Sequence, residues 1–160
     1  MISGKTGALI ESACRLGALA ADADAETVDA YGRFGLELGR AFQEQDDVLG
    51  VWGDAVLTGK PTSMDVASRK RGLPAVLALA DPRASAWLRD AYTPAATDMA
   101  PALAERVVAE FEQMGVRQAA EARLQERYQR AIAALADARG LSPAADHLKA
   151  VAELLVGRQS

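Results

Sequence analysis

The sequence predicts an all-α fold, and three observations support this prediction. Half of its 160 residues are hydrophobic and alanine, the strongest helix former, is abundant, whereas aromatic residues make up only 5%. No run of alternating Val, Thr or Tyr residues indicates a strand. Apolar residues recur instead at helical spacing, and Phe34, Leu38 and Phe42 predict one buried stripe. We expect six to eight helices and no strands.

The N-terminal third predicts two helices followed by a loop. The first helix runs from about Thr6 to Ala20, and the second from about Ala25 to Leu49, with acidic residues in its first turn that suit the helix dipole. Three glycines of the second helix predict the close approach of a neighbouring helix: Gly32, Gly35 and Gly39. The next segment is too rich in helix-breaking residues to continue the helix and predicts a loop: Gly50, Gly53, Gly59 and Pro61.

The remaining sequence predicts further helices. A short buried helix from Leu73 to about Ala80 tolerates proline in its first turn, and a short piece carrying Trp87 lies between two turns. Two longer helices, about Pro101 to Met114 and Val116 to Arg139, are divided at Gly115. The last helix begins at Ser142-Pro143, a capping residue followed by proline at the first helical position.

Composition and charge exclude several classes of function. The net charge of -4 and the pI near 5.1 offer no broad basic field for nucleic acid. A single cysteine, Cys14, and a single histidine, His147, exclude a disulfide framework and the common zinc motifs. No segment has the length of apolar sequence that a membrane span needs, and the N-terminus lacks a secretion signal, so we expect a cytoplasmic protein. Carboxylates, lysines and arginines remain for chemistry.

The densest cluster of polar residues lies near the end of the second helix. Gln43, Asp46 and Asp47 are spaced i, i+3, i+4 and are expected on one side of that helix, with Asp54 seven residues further on. Adjacent carboxylates repel each other, and a divalent cation would relieve the repulsion. Oxygen ligands without histidine or thiolate suit Mg²⁺. A solvated acidic patch is the alternative interpretation.

Lysines near these carboxylates indicate a diphosphate-binding site. Lys60 lies in a glycine-containing loop, and Lys5-Thr6 places a second ammonium and a hydroxyl at the start of the first helix. The loop is not a Walker A motif, because its spacing differs and no strand precedes it. A metal bridging phosphate oxygens and a lysine neutralising the remaining charge are what a diphosphate needs. For Arg69-Lys70-Arg71 we expect a solvated face, with Arg69 paired to Asp65.

The ordered motifs of residues 4–74 resemble those of the trans-polyprenyl diphosphate synthases, and are most similar to bacterial geranylgeranyl- or farnesyl-type enzymes. From there to about Arg158 the resemblance rests on the helix pattern alone. The motifs are Gly4-Lys5-Thr6, Phe42-Gln43-x-x-Asp46-Asp47-x-Leu49-Gly50, Gly53-Asp54-x-x-x-Thr58-Gly59-Lys60-Pro61-x-x-x-Asp65, Arg69-Lys70 and Leu73-Pro74.

The resemblance implies an isoprenoid-synthase helical bundle and Mg²⁺-dependent condensation of an allylic diphosphate with isopentenyl diphosphate. Asp46 would be the metal ligand of the second aspartate-rich motif, with Asp47 beside it. The family position usually held by a third aspartate is Gly50 here. The remaining implied roles are metal or water orientation by Gln43, indirect metal support by Asp54, and binding of the allylic diphosphate by Lys5, Thr6 and Lys60.

The first aspartate-rich motif of the family does not occur in these 160 residues, whose only Asp-Asp pair is Asp46-Asp47. The whole chain, residues 1–160, therefore resembles the C-terminal half of such an enzyme, a partial polyprenyl synthase domain. We expect an exposed apolar surface, and either a homodimer, as the family implies, or association with a complementing N-terminal half. The alternative is a non-catalytic helical binding or regulatory subunit that retains a diphosphate and Mg²⁺ site.

Overall fold

The computed structural model of the chain describes residues 6–53, 63–95, 97–138 and 143–156. Within these ranges the protein is all-α, as predicted, and no strand occurs. None of the helices in the described ranges has the length and apolar character that crossing a membrane requires. The eight helices of the described ranges are α1 (Thr6–Ala20), α2 (Ala25–Trp52), α3 (Met64–Ala67), α4 (Leu73–Ala80), α5 (Ala86–Ala91), α6 (Pro101–Gln113), α7 (Val116–Ala136) and α8 (Pro143–Val156).

The chain forms two compact units. The first contains α1, the part of α2 up to Gln43, the part of α7 from Arg123 onward, and α8. Its core joins α2, α7 and α8 through fully or almost fully buried side chains. The largest of these are Phe34, Leu38, Leu124 and Leu135. Phe42, predicted in the same stripe, is only half-buried.

Glycines of α2 allow α1 to pack closely against it, as predicted. A Cβ atom on Gly39 would lie 2.7 Å from the Cα atom of Gly7, and one on Gly35 would lie 2.7 Å from the carbonyl oxygen of Ile10. Real Cβ atoms do not approach backbone atoms this closely. The two helix backbones therefore touch along this line, and a side chain at either glycine would separate them.

The second unit extends from Glu44 to Ala122. Its core is built around Phe111 of α6, which contacts the rings of Trp52 and Tyr92, and it includes the buried Leu88 and Met99. These residues come from the end of α2 and from the segment between residues 88 and 111. The end of α2 is therefore held by a packed core, and the carboxylates that it carries have a fixed support.

Two sequence predictions in this unit were wrong. Helix α2 does not end at Leu49 but continues through Gly50 to Trp52, and the N–H of Gly53 still donates to the carbonyl of Leu49 at 2.8 Å. Arg69 does not pair with Asp65. Because α3 ends at Ala67 and Arg69 has a left-handed backbone (φ 54°), i, i+4 spacing no longer brings the two side chains together. Arg69 instead donates to the carbonyls of Ala91 and Thr97.

Candidate functional site

The two adjacent aspartates near the end of α2 have different environments. Asp46 is exposed, whereas the side chain of Asp47 is only 2% exposed. The side chains of neighbouring residues on a helix point about 100° apart. The side chain of Asp47 is buried within the packed second unit. Gln43, three residues before Asp46, lies near the same side of the helix and is half-buried. Asp46 is therefore the carboxylate of this pair that is open to a ligand.

Asp47 is bonded inside the protein. One carboxylate oxygen, Oδ2, accepts the backbone N–H of Leu73 at 2.9 Å, and the other, Oδ1, lies 3.1 Å from the ammonium of Lys70. Leu73 is the first residue of α4, so the carboxylate satisfies a free N–H at the positive end of that helix. A Cβ atom on Gly72 would lie 2.8 Å from the Asp47 carboxyl carbon, so only glycine leaves room for this contact.

Lys70 joins Asp47 to a second carboxylate, Asp65. Its ammonium lies 2.5 Å from Asp65 Oδ2, and the Asp65 carboxylate occupies the space where a Cβ atom on Gly50 would be. Burial acts to lower the pKa of Lys70, but hydrogen bonds and charges from Asp65 and Asp47 outweigh it and raise that pKa. The charge pattern had predicted a solvated Lys70, and no periodicity indicated its role. The glycine at position 50 thus makes room for a carboxylate from α3.

The described residues on either side of positions 54–62, Gly53 and Ser63, both contact the end of α2. Gly53 continues the helical hydrogen bonding, and the Ser63 hydroxyl donates to the Val51 carbonyl at 3.5 Å. Asp54 and Lys60 themselves lie outside the described residues, as does Lys5. Gly53 and Ser63 are therefore both held against the part of α2 that follows Asp46.

Thr6 is the first residue of α1 and is half-buried. Its carbonyl oxygen lies 3.2 Å from the position of a Cβ atom on Gly39, which is one helical turn before Gln43. The glycine contact therefore places the start of α1 against this part of α2. Of the predicted site residues that the structure describes, Thr6 and Gln43 lie in the first unit and Asp46 and Asp47 in the second.

The donor chemistry near Asp46 fits Mg²⁺. An exposed carboxylate and a neighbouring side-chain amide are hard oxygen donors, and Mg²⁺ in proteins commonly takes only one or two carboxylates and completes its shell with water and phosphate. The described residues contain no group of three or more His, Cys, Asp or Glu side chains arranged to hold a metal by themselves.

Comparison with known proteins shows the family of the chain. The family model described as "Polyprenyl synthetase" matches residues 1–110, which is more than half of the chain. The chain belongs to the polyprenyl synthetase family. It is 46% identical over 138 residues to a geranylgeranyl diphosphate synthase of Mycobacterium tuberculosis, a match that covers 86% of this chain and 39% of that enzyme. It is also 40% identical over 85 residues to heptaprenyl diphosphate synthase component 2 of Geobacillus stearothermophilus, covering 53% of this chain and 27% of that protein.

Solved structures of similar proteins share the fold. A polyprenyl synthetase from Streptomyces coelicolor superimposes with a TM-score of 0.86 at 35% identity, covering 97% of this chain and 48% of the other. A geranylgeranyl pyrophosphate synthase from Corynebacterium glutamicum, complexed with calcium and isoprenyl diphosphate, gives 0.83 at 30% identity, covering 98% and 48%. The chain thus spans about half the length of each of these structures, and less of the curated relatives.

Proposed function

We propose that this chain is the C-terminal half of a polyprenyl diphosphate synthase. When an N-terminal half completes it, it takes part in the Mg²⁺-dependent condensation of an allylic diphosphate with isopentenyl diphosphate. The single observation that carries the proposal is the arrangement at the end of α2, where Asp46 is open to a ligand while Asp47 is fixed by Leu73 and Lys70. A merely solvated acidic patch would not need a buried, doubly bonded neighbour.

One solved relative supports the binding of a cation and a diphosphate. The Corynebacterium glutamicum structure is described as a complex with calcium and isoprenyl diphosphate, and this chain matches almost half of that protein at 30% identity. Calcium and Mg²⁺ are both hard cations that bind oxygen ligands. The motifs of residues 4–74 that resemble those of the family contain carboxylates, an amide, lysines and a threonine, which are groups that can bind a cation and a diphosphate.

Each residue has a role in the proposed reaction. Asp46 binds Mg²⁺, which when bound supplies positive charge to the leaving diphosphate, and Gln43 orients the ligands around it. Asp47 acts from inside the protein by holding α2 in position. The residues outside the described ranges complete the proposal: Lys60 and Lys5, together with the described Thr6, hold the allylic diphosphate, and Asp54 supports the metal indirectly.

One alternative function is supported by a specific observation. One relative is described as component 2 of a heptaprenyl diphosphate synthase, a name that implies a synthase of more than one component. The alternative that we propose is a non-catalytic helical binding or regulatory subunit that retains the diphosphate and Mg²⁺ site. Both functions predict the same binding site, and only product formation with a complementing half distinguishes them.

The binding site is tested by thermal unfolding with MgCl₂ and inorganic diphosphate. A ligand at a hundred times its dissociation constant stabilises the folded state by about 2.7 kcal/mol, which raises the melting temperature of a domain of this size by roughly 5–10 °C. We expect this rise for the wild type and its loss for Asp46→Asn and Lys60→Met. Asp90→Asn, which alters another exposed carboxylate, should keep it. An equal rise in Asp46→Asn would remove the proposed cation site.

A further inference from the structure

Helix α1 exposes leucines and directs its charged side chains toward α2. Leu9, Leu16 and Leu19 are 72%, 64% and 55% exposed, and helical spacing places them along one face with only small residues between them. Glu11 and Arg15 are the charged residues of this helix, and Arg15 pairs with Glu11 and with Asp29 of α2. A surface helix has the opposite pattern, with its charged side toward water. We call the side defined by the three leucines the leucine face.

A groove runs beside this helix within the same unit. It has a volume of about 630 Å³ and is lined by residues of α1, α2 and α8, mostly alanine, glycine and other apolar side chains. Helix α8 also exposes Val151 (45%) and Leu154 (75%). Several exposed apolar side chains and an apolar groove within one unit are typical of an interaction site on a folded protein. The groove is lined by Ala13, Cys14, Gly17, Tyr31, Ala144 and Leu148, among others.

We propose that the leucine face and this groove form the docking surface for the complementary N-terminal half of a polyprenyl synthetase. This inference rests on the proposed function. The chain matches 97–99% of its own length but only about half of the solved structures, so those proteins contain a second portion of similar size. An apolar helix from such a portion would fill the groove, because the alanine and glycine lining allows a helix to approach closely.

A second copy of this chain is the other candidate occupant. In a twofold-symmetric dimer the same patch faces itself, so the exposed leucines of each copy would have to fill the groove of the other. The observation that favours the N-terminal half is that the solved structures contain a second portion of similar size, whose place beside this chain would otherwise be empty.

The test is co-expression of the 160-residue chain with the N-terminal half of the Streptomyces coelicolor polyprenyl synthetase. We expect a 1:1 complex on size-exclusion chromatography with light scattering, and about thirtyfold or greater loss of affinity for Leu16→Glu, because a charge would be buried at the contact. Gly17→Trp should also weaken the complex, because its side chain would fill the groove from this chain's side. A Cβ atom at position 17 meets nothing within 4 Å, so the variant should fold. Val76→Glu alters an exposed apolar residue of the other unit and should bind like the wild type.

Three results would overturn the docking surface. The first is that the wild-type chain forms no complex with the N-terminal half. The second is that Gly17→Trp and Leu16→Glu both bind the N-terminal half as tightly as the wild type does. The third is that the chain forms a homodimer, which Leu16→Glu disrupts, while the N-terminal half does not bind. Circular dichroism of each variant chain confirms that it is folded. The Mg²⁺ and diphosphate experiment on Asp46 is independent of this surface. If it succeeds while complex formation fails, the diphosphate site stands and only the docking surface is wrong.

Discussion

Replacing Asp47 tests whether its buried carboxylate supports the site, as its contacts indicate. Asp47→Ala removes the acceptor of the Leu73 N–H and one anionic partner of Lys70. A buried N–H without an acceptor costs about 1–3 kcal/mol, and the lost hydrogen bond to a charged group is worth about 1.5–3 kcal/mol. These two energies overlap, so they are not simply added. The Lys70 contact adds little, because that side chain is 40% exposed and keeps Asp65. We expect a loss of about 3 kcal/mol.

Two other variants separate this support from a general effect of charge. Asp47→Asn keeps an oxygen that can accept from Leu73, so its cost should be about 1 kcal/mol. Asp46→Ala alters the exposed neighbour and should change stability by less than about 0.5 kcal/mol. Urea unfolding followed by far-UV circular dichroism measures all three, with a common slope as the sign that only stability has changed. Equal stability of Asp47→Ala and Asp46→Ala would refute the reasoning.

Two further predictions concern helix packing and pH. Gly39→Ala should destabilise the chain by about 1–3 kcal/mol, because its Cβ atom would press on the Gly7 backbone, whereas Gly17→Ala has open space and should gain about 1 kcal/mol of helix propensity. Urea unfolding of the pair checks both signs, and a loss of stability in Gly17→Ala would contradict them. The folded state raises the pKa of Lys70, through its carboxylate partners, and of Tyr92, mainly through burial. Stability should therefore fall as the pH rises above about 10, and Lys70→Gln combined with Tyr92→Phe should flatten that fall in pH-dependent melting curves. An unchanged profile would contradict this assignment.

The sequence predicts helices well where local signals determine them. The bounds of α1 match the prediction, and the start of α4 at Leu73 follows from proline in the first turn. The low helix propensity of glycine predicts that α2 ends before Gly50, whereas the helix continues to Trp52. The absent side chain of Gly50 instead leaves room for Asp65, a residue of another helix, and no local pattern reveals such a partner.

The candidate site was predicted as a set of residues, but their individual environments were not. Spacing placed Asp46 and Asp47 together, whereas the structure exposes one and buries the other. The difference depends on Leu73, which lies 26 residues after Asp47, and helical periodicity carries no information about a contact at that separation. An exposed apolar surface was expected without a location, and the structure shows three exposed leucines on α1.

Product formation by the completed enzyme is the most direct test of the central claim. The 160-residue chain and the Streptomyces coelicolor N-terminal half, co-purified as a complex, are incubated with an allylic diphosphate, isopentenyl diphosphate and Mg²⁺, and the prenyl products are identified by mass spectrometry. We predict elongated prenyl diphosphate from the complex, none from either half alone, and none from the complex carrying Asp46→Asn. A stable complex that binds Mg²⁺ and diphosphate but forms no product would contradict the catalytic claim and favour the non-catalytic subunit.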